Sequence, residues 1–420
     1  MDVAKVEYIP CNVYDLDERY ANFLKRHFKN PADGLFCGKK EGDLTKVSLE
    51  ALKLPVDLLC SGPPCPPWAG NGNKLGRMDA RADVFVTVVK WVVKAIKNGG
   101  LIAVLLENVV GILQEIGGKR SFMSQVIDVL GAEAPEFLWE VAILYGEDYY
   151  ISQSRKRVFL RGMRIVFLGH GRELPPVLEP FGKRSLEEFL DLTLPATPRE
   201  QLTGPQQTNL MSMLARLKND KEAGVLDGVK FAIFAVDRAE GKVYKARYNK
   251  DVCPTLTCSN KYLFVVSLDD LESEDDDLKI CFRFLHPSER LRLQGFGMEV
   301  YNALPSDSCA IKAAGNAYPV PFILANVHGM IKTIHDSGVD LSSWPEHINT
   351  VVDDELLSRI EAGLNAKANT RKPKAVKKRK AVKKRPAARK RSTGKVKSER
   401  VTKHRTNIEK AAWISSSSSS

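Results

Sequence analysis

Cys65 stands in the segment Ser61-Gly62-Pro63-Pro64-Cys65-Pro66-Pro67-Trp68, directly after the short apolar run Val56–Cys60. A thiol in that place lies at the C-terminal end of a buried strand, where open α/β sheets put their ligands. Prolines on both sides fix the backbone that carries it, and a thiol held rigidly can serve as a nucleophile. A second apolar run, Leu101–Leu106, ends in Glu107-Asn108-Val109 and brings a carboxyl group to the same edge of the sheet. Burial there raises a carboxyl pKa and suits the group to donate a proton. In Gln153-Ser154-Arg155-Lys156-Arg157, Arg155 and Arg157 occupy alternate positions as a strand begins, so they share a face. Singly, each segment has a plainer alternative: a Pro-rich turn with a small buried thiol, a helix N-terminal acid, a solvated strand edge.

The elements that must position these groups alternate in type over the first 165 residues. Val6–Val13 reads as a strand, and Asp17–Phe28 as a helix with Tyr20, Phe23, Leu24 and Phe28 on one face. Ala82–Lys97 is helical in pattern and is stopped by Asn98-Gly99-Gly100. Leu101–Leu106 is a strand of the fully buried kind, a helix-like stretch runs on to Leu130, and Phe137–Leu144 and Arg157–Arg161 are two further strands. Buried strands joined by helices predict an α/β, mostly parallel, doubly wound sheet. From Gly169 to Ile280 the pattern becomes Pro-rich and mixed, with an acidic, solvated loop at Asp269–Asp277. Helix-like patterning returns at Phe282–Phe296 and Val320–Ile334.

The charge is divided along the chain. The net charge is +12 over 420 residues, yet residues 366–410 alone hold 20 Lys and Arg against 2 Glu. The remainder has 43 basic and 49 acidic residues and is mildly acidic. A uniformly basic globule is therefore excluded, and the basic character belongs to a tail. That tail contains a tandem KAVKKR hexapeptide (Lys374–Arg379 and Lys380–Arg385) and ends in six serines. Its composition cannot bury a core and predicts disorder. Lys/Arg blocks of this kind bind nucleic acid or the import machinery, which predicts a nuclear protein. No apolar run approaches the roughly 18–20 residues needed to span a bilayer, and no secretory leader pattern opens the chain. Eight cysteines without a C-x-x-C pair argue for a reduced, intracellular protein with no metal ribbon.

Taken in order, these segments resemble the cytosine-C5 DNA methyltransferases. The motifs that carry the resemblance are Pro64-Cys65, Glu107-Asn108-Val109, Gln153–Arg157, Ser288-Glu289-Arg290 with Gln294-Gly295-Phe296, and Gly315-Asn316-Ala317-Tyr318-Pro319-Val320-Pro321. Asp43 and Arg81 are weaker matches, and the resemblance spans roughly residues 5–335. It implies a Rossmann-like sheet that binds S-adenosylmethionine and a duplex DNA substrate whose target cytosine is flipped out. It also implies that Cys65 attacks C6 of the ring, with its thiol pKa lowered by neighbouring arginines and loop N–H groups. Glu107 would protonate N3, while Arg155 and Arg157 would hold the pyrimidine O2 and the active-site loop. Asp15 (or Asp17, if the alignment slips by two), Asp43, Leu44, Pro64, Val84 and Asn316 would surround the cofactor. The implied organisation is 1–168 catalytic and cofactor domain, 169–281 target-recognition region, 282–338 return to the catalytic domain, 339–365 connector, and 366–420 basic tail. The same motif set also occurs in a tRNA methyltransferase branch, and an inert chromatin-binding relative is a third reading.

The sequence departs from the family pattern at its start. The family opens with a strand followed by Phe-x-Gly-x-Gly, whose glycines let the backbone approach the cofactor. No such loop precedes Val6–Val13, which resembles the second strand. The expected consequence is a sheet without its first strand and an incomplete methionine pocket. Pro66, Pro67 and Trp68 replace the usual Gln and Phe, and Tyr318 stands where Val is common.

Overall fold

The computed structural model describes residues 13–20, 23–24, 35–38, 42–52, 54–70, 75–115, 120–169, 171–237, 247–272, 282–341, 344 and 352–365. Most of the strand expected at Val6–Val13, much of the helix expected after Asp17, part of the acidic loop and the whole tail lie outside these residues.

The main sheet has four strands in the order β3 (Leu58–Ser61), β4 (Ala103–Val109), β7 (Lys156–Arg164), β5 (Phe137–Tyr145). β4 is the run Ala-Val-Leu-Leu-Glu-Asn-Val, buried along almost its whole length, because helices cover both faces. Val104 and Leu106 pack with the Val-rich helix α1 (Asp83–Gly99) and with α2 (Phe122–Glu133). Leu105 packs with Phe322 and Ala325 of α7 (Val320–Asp336) on the opposite face. α1 is helical although β-branched residues resist helix formation, since eleven of its residues are buried. It ends where expected, with Gly100 in the left-handed region at φ 63°.

The sheet is mixed, where a mostly parallel one was predicted. β3 and β4 are parallel, but β7 runs antiparallel to both β4 and β5. Residues 146–155 between β5 and β7 are too few for the crossover of a dozen or more residues that a parallel neighbour requires.

β1 (Val13–Asp15) and β2 (Leu35–Cys37) form a separate parallel pair. Among the described residues no strand joins β1 to β3, so β3 is paired on one side only. Its sequence, Leu-Leu-Cys-Ser, is that of an interior strand, yet Leu58 remains 38% exposed.

Residues 169–284 build a second layer system. An antiparallel sheet runs β12 (Phe282–Phe284), β11 (Leu263–Ser267), β8 (Phe231–Ala235), β9 (Tyr248–Lys250), with α3 (Gly204–Glu222) packed on it. A two-residue parallel pair, β6 (Gln153–Ser154) with β10 (Cys253–Pro254), ties this region to the catalytic strands. Phe282–Phe284 was expected to open a helix. It is a strand because Phe-Arg-Phe pairs with β11, and the helix starts only at Pro287, after His286 caps it. α4 (Pro287–Arg292), α5 (Met298–Ala303) and α6 (Asp307–Asn316) follow. The expected connector contains α8 (Asp354–Asn365), whose Leu356, Ile360 and Leu364 join the core beside α1 and α2.

Candidate active site

The loop after β3 holds Cys65 through four anchors. Its carbonyl accepts from Trp68 N and Ala69 N, both at 3.0 Å, which closes a tight turn over Pro66 and Pro67. Asn108 Nδ2 donates to Pro63 O at 3.0 Å and pins the loop to the end of β4. Trp68 stacks on Phe122 with ring centroids 5.0 Å apart. Finally, Gly111 lies so close under the loop that a Cβ there would come within 2.0 Å of Trp68 O. The prolines and Trp68, which depart from the family pattern, thus make a loop locked from beneath.

Glu107 lies one residue past the Ser61–Leu106 pairing of β3 with β4, so it emerges beside the loop. It is 8% exposed, and its Oε1 is 2.7 Å from Arg157 Nε. Arg157 comes from β7, opposite Val109. Arg155 lies between β6 and β7, 2% exposed, and donates to Leu256 O at 2.9 Å and Ala317 O at 2.5 Å. It thereby joins the recognition region to the loop after α6. Its Nε is buried without a partner. Arg155 and Arg157 line the same cavity, although Arg155 lies in neither strand.

Electrostatics differ from expectation at the thiol. Burial pushes the Cys65 pKa up and outweighs the rest; Arg157 pulls it down, Glu107 raises it, and Arg155 lowers it. A depressed thiol pKa was predicted from the arginines, but Arg157 divides its charge with Glu107, and loss of water dominates. Burial therefore favours the protonated thiol over the thiolate. Burial likewise holds Glu107 above its ordinary value, with Arg157 and Arg155 opposing, which suits a proton donor. Arg155 is drawn down to about 9 by burial and then by Arg157.

Side chains that the sequence marked only as motif members turn out to be joints. Gln153 donates to Leu293 O at 3.1 Å and accepts from Leu256 N at 3.1 Å. Arg290, 1% exposed, donates to Leu285 O, Asn260 O and Lys261 O. Glu289 accepts from Arg283 at 2.7 and 2.9 Å and from Asp191 N at 2.7 Å. Gly315 passes so close to the recognition loop that a Cβ would stand 2.4 Å from Cys258 N. Cys258 donates its thiol to Asn316 Oδ1.

One cavity of 3440 Å³ is lined by Cys65, Glu107, Arg155 and Arg157 together with all six expected cofactor residues: Asp15, Asp43, Leu44, Pro64, Val84 and Asn316. It exceeds the roughly 300–1,000 Å³ of an ordinary ligand pocket, because it continues past β1 and β3 to Met330 and Ile334 of α7. The donor set fits one half of S-adenosylmethionine. Asp15 closes the parallel strand β1, and burial raises its pKa. Its Oδ1 already accepts from Asp17 N at 2.7 Å. Asp43 is turned to Thr45 and Lys46. For the methionine half, no glycine-rich turn follows a strand next to β1 among the described residues. The same residues include no cluster suited to a metal ion and no helix long and apolar enough to cross a membrane.

A thiol, a buried carboxyl group and two arginines thus line one cavity at the C-terminal edge of the parallel strands β3 and β4. The sequence model of the family described as C-5 cytosine-specific DNA methylase matches residues 11–332, and this chain belongs to that family. S-adenosylmethionine is the methyl donor the family uses. The type II methyltransferase M.HpaII of Haemophilus parainfluenzae is 25% identical over 288 residues, covering 68% of this chain and 74% of that protein. M.AquIA of a Picosynechococcus strain is 28% identical over 184 residues, covering 38% of this chain and 71% of its own length. In fold, the chain is similar to the Entamoeba histolytica methyltransferase EhMeth, with TM-score 0.50, 15% identity, and coverage of 80% of this chain and 92% of that one.

Proposed function

We propose that the protein methylates carbon 5 of cytosine in duplex DNA through a covalent adduct between Cys65 and C6 of a flipped-out base. The observation that carries this reading is the convergence of Cys65, Glu107, Arg155 and Arg157 on one cavity, with Glu107 and Arg157 in contact at 2.7 Å. Cytosine C5 is a poor nucleophile, and addition of a thiolate at C6 converts the ring to an enamine that is nucleophilic at C5. Glu107, held towards its protonated form by burial, donates to N3 so that no full negative charge builds on the ring. Arg157 stabilises the carboxylate that Glu107 becomes. Arg155, anchored by Leu256 O and Ala317 O, presents its unpaired edge to the pyrimidine O2. Cys65 adds to C6 as its thiolate, its proton passing to solvent water before the entering base closes the cavity. S-adenosylmethionine, when bound, supplies an electrophilic methyl group. Removal of the C5 proton then expels Cys65 and restores the aromatic ring. Residues 169–281 read the DNA context, and the basic tail directs the protein to the nucleus.

The test follows the C5 hydrogen without requiring the methyl donor. Reversible addition of Cys65 makes that hydrogen exchangeable with water, so duplex DNA carrying tritium at cytosine C5 should release it. Release that vanishes in Cys65→Ala supports the reading. Release from tRNA in preference to duplex DNA supports the tRNA branch, and none from either substrate supports the inert relative.

A further inference from the structure

Tyr318 lies in the short link between α6, which ends at Asn316, and α7, which begins at Val320. The link is fixed on both sides of it. Ala317 O accepts from Arg155 Nη2 at 2.5 Å, and Val320 N donates to Gln294 O at 2.8 Å. Held in this way, Tyr318 lines the cavity that contains Cys65 and Glu107.

Its ring edge packs against Gly62, the residue after β3. A Cβ at Gly62 would stand 3.0 Å from Tyr318 Cε1, 3.3 Å from Tyr318 Cδ1 and 3.5 Å from Glu107 Oε2. One methyl group would therefore touch both the ring and the carboxyl group, and the missing side chain of Gly62 is what lets them come so near. Glu107 Oε1 is taken by Arg157 Nε at 2.7 Å, so Oε2 is the oxygen on the Tyr318 side. The two groups feel each other across Gly62: burial, then Cys60, then Glu107 push the Tyr318 phenol pKa up.

Arg157 faces Glu107 from β7, Arg155 from the link between β6 and β7, Cys65 from the loop after β3, and Tyr318 from the link before α7. The two arginines favour the carboxylate, yet burial outweighs them and holds the Glu107 pKa above its ordinary value. Exclusion of water therefore decides whether this carboxyl group keeps a proton. Arg157 closes one side of it. Gly62 has no side chain to close the other, and the atoms that stand there are Cδ1 and Cε1 of Tyr318. A Val at this position has neither atom.

We infer that Tyr318 is a positioning residue for Glu107: across Gly62 its ring closes the carboxyl group to water on the side away from Arg157, and so preserves the proton that Glu107 gives to the base. The inference rests on the proposed role of Glu107 as proton donor and adds the wall that makes the role possible.

The carbonyl-stretch infrared band of a protonated carboxyl group, assigned to Glu107 by its loss in Glu107→Gln, is titrated with pH. The proteins compared are the wild type, Tyr318→Phe, Tyr318→Val and the double variant Gly62→Ala with Tyr318→Val. Water admitted on the ring side lowers the Glu107 pKa, so the band in Tyr318→Val should fade at lower pH than in the wild type. Tyr318→Phe retains both contact atoms and should keep the wild-type midpoint. The double variant puts a methyl group 3.5 Å from Oε2 in the space the ring left, and its midpoint should return part of the way. At a pH above all the midpoints, tritium release from duplex DNA should fall about tenfold in Tyr318→Val, a part of the roughly 10²–10⁴-fold that a general acid supplies. Tyr318→Leu, which also lacks Cε1, replaces Tyr318→Val should that variant not fold. A midpoint in Tyr318→Val at or above that of the wild type, an equal fall in Tyr318→Phe, or no return in the double variant overturns the inference. The titration needs no substrate, so the two ideas fail separately. Absence of tritium release by the wild type removes the role of Glu107 as donor, whereas unchanged midpoints with intact release remove only that of Tyr318.

Discussion

Arg157→Met is expected to destabilise the chain in a manner that depends on pH. The Glu107 carboxyl group is 8% exposed, its nearest cation is Arg157 at 2.7 Å, and the neighbouring Arg155 spends its Nη1 and Nη2 on Leu256 O and Ala317 O. Removing one partner of a buried pair costs about 3–5 kcal/mol when the other remains charged. The carboxyl group escapes part of that cost by taking up a proton. Burial already holds its folded pKa above the ordinary value, with Arg157 the largest opposing influence, so the variant raises it further. A group with a raised folded pKa binds more protons folded than unfolded in the window between the two values. Its contribution is present at low pH and is lost as pH rises through the folded pKa. The deficit of Arg157→Met should accordingly be small at pH 5 and approach about 3–5 kcal/mol at pH 8.5. With an unfolding entropy of about 2.1 cal/mol/K per residue over roughly 350 residues, that is a Tm loss of about 4–7 °C. Calorimetric melts of the wild type, Arg157→Met, Glu107→Gln and the double variant at both pH values measure it. In the double variant the buried charge is gone, and most of the deficit at pH 8.5 should be recovered. A deficit of equal size at both pH values, or one that deepens when Glu107→Gln is added, refutes the reasoning.

Three other outcomes are expected. Calorimetric titration of this chain with S-adenosylmethionine should show weak or no binding, because β1 and β3 lie in separate sheets and no glycine-rich turn completes the cradle among the described residues; micromolar affinity would contradict this. Alkylation of Cys65 by iodoacetamide should stay slow at pH 8 and rise in more alkaline buffer, as burial dictates; the rise should come at lower pH in Glu107→Gln and at higher pH in Arg157→Met, with mass spectrometry reading the site. Gly315→Ala places a methyl group 2.4 Å from Cys258 N and should cost about 1–3 kcal/mol by overpacking; a urea midpoint equal to wild type would show that the two backbones can part freely.

That Cys65, Glu107, Arg155 and Arg157 would meet at one cavity was legible because the signals are local. A thiol between prolines, an acid ending an apolar run and arginines at alternate positions each depend on a few neighbouring residues, and the sheet needed only to bring them to one edge. The direction of β7 was less legible, since whether Lys156–Arg164 pairs parallel or antiparallel depends on the span it shares with β5 rather than on its own apolar content. Phe282–Phe284 misled because a three-residue strand before a helix leaves no room for a period to show; only pairing with β11 distinguishes it. α8 was passed over as a connector because its single apolar stripe, Leu356, Ile360 and Leu364, lies among acidic residues and makes sense only against α1 and α2. The Cys65 pKa went the other way from its sequence reading because charge can be counted along a chain, while exclusion of water is a property of the assembled cavity.

Among the described residues one side of β3 is unpaired, which has a consequence for the protein as a material. Leu58–Ser61 carries no lysine, proline or other blunting residue on that flank, and an apolar edge of this kind is a template on which another chain can add a strand. Concentrated solutions should therefore lose protein to self-association through this flank, and a Lys at position 58 should keep more of it dispersed. How much of the chain stays soluble becomes a gauge of whether anything covers β3.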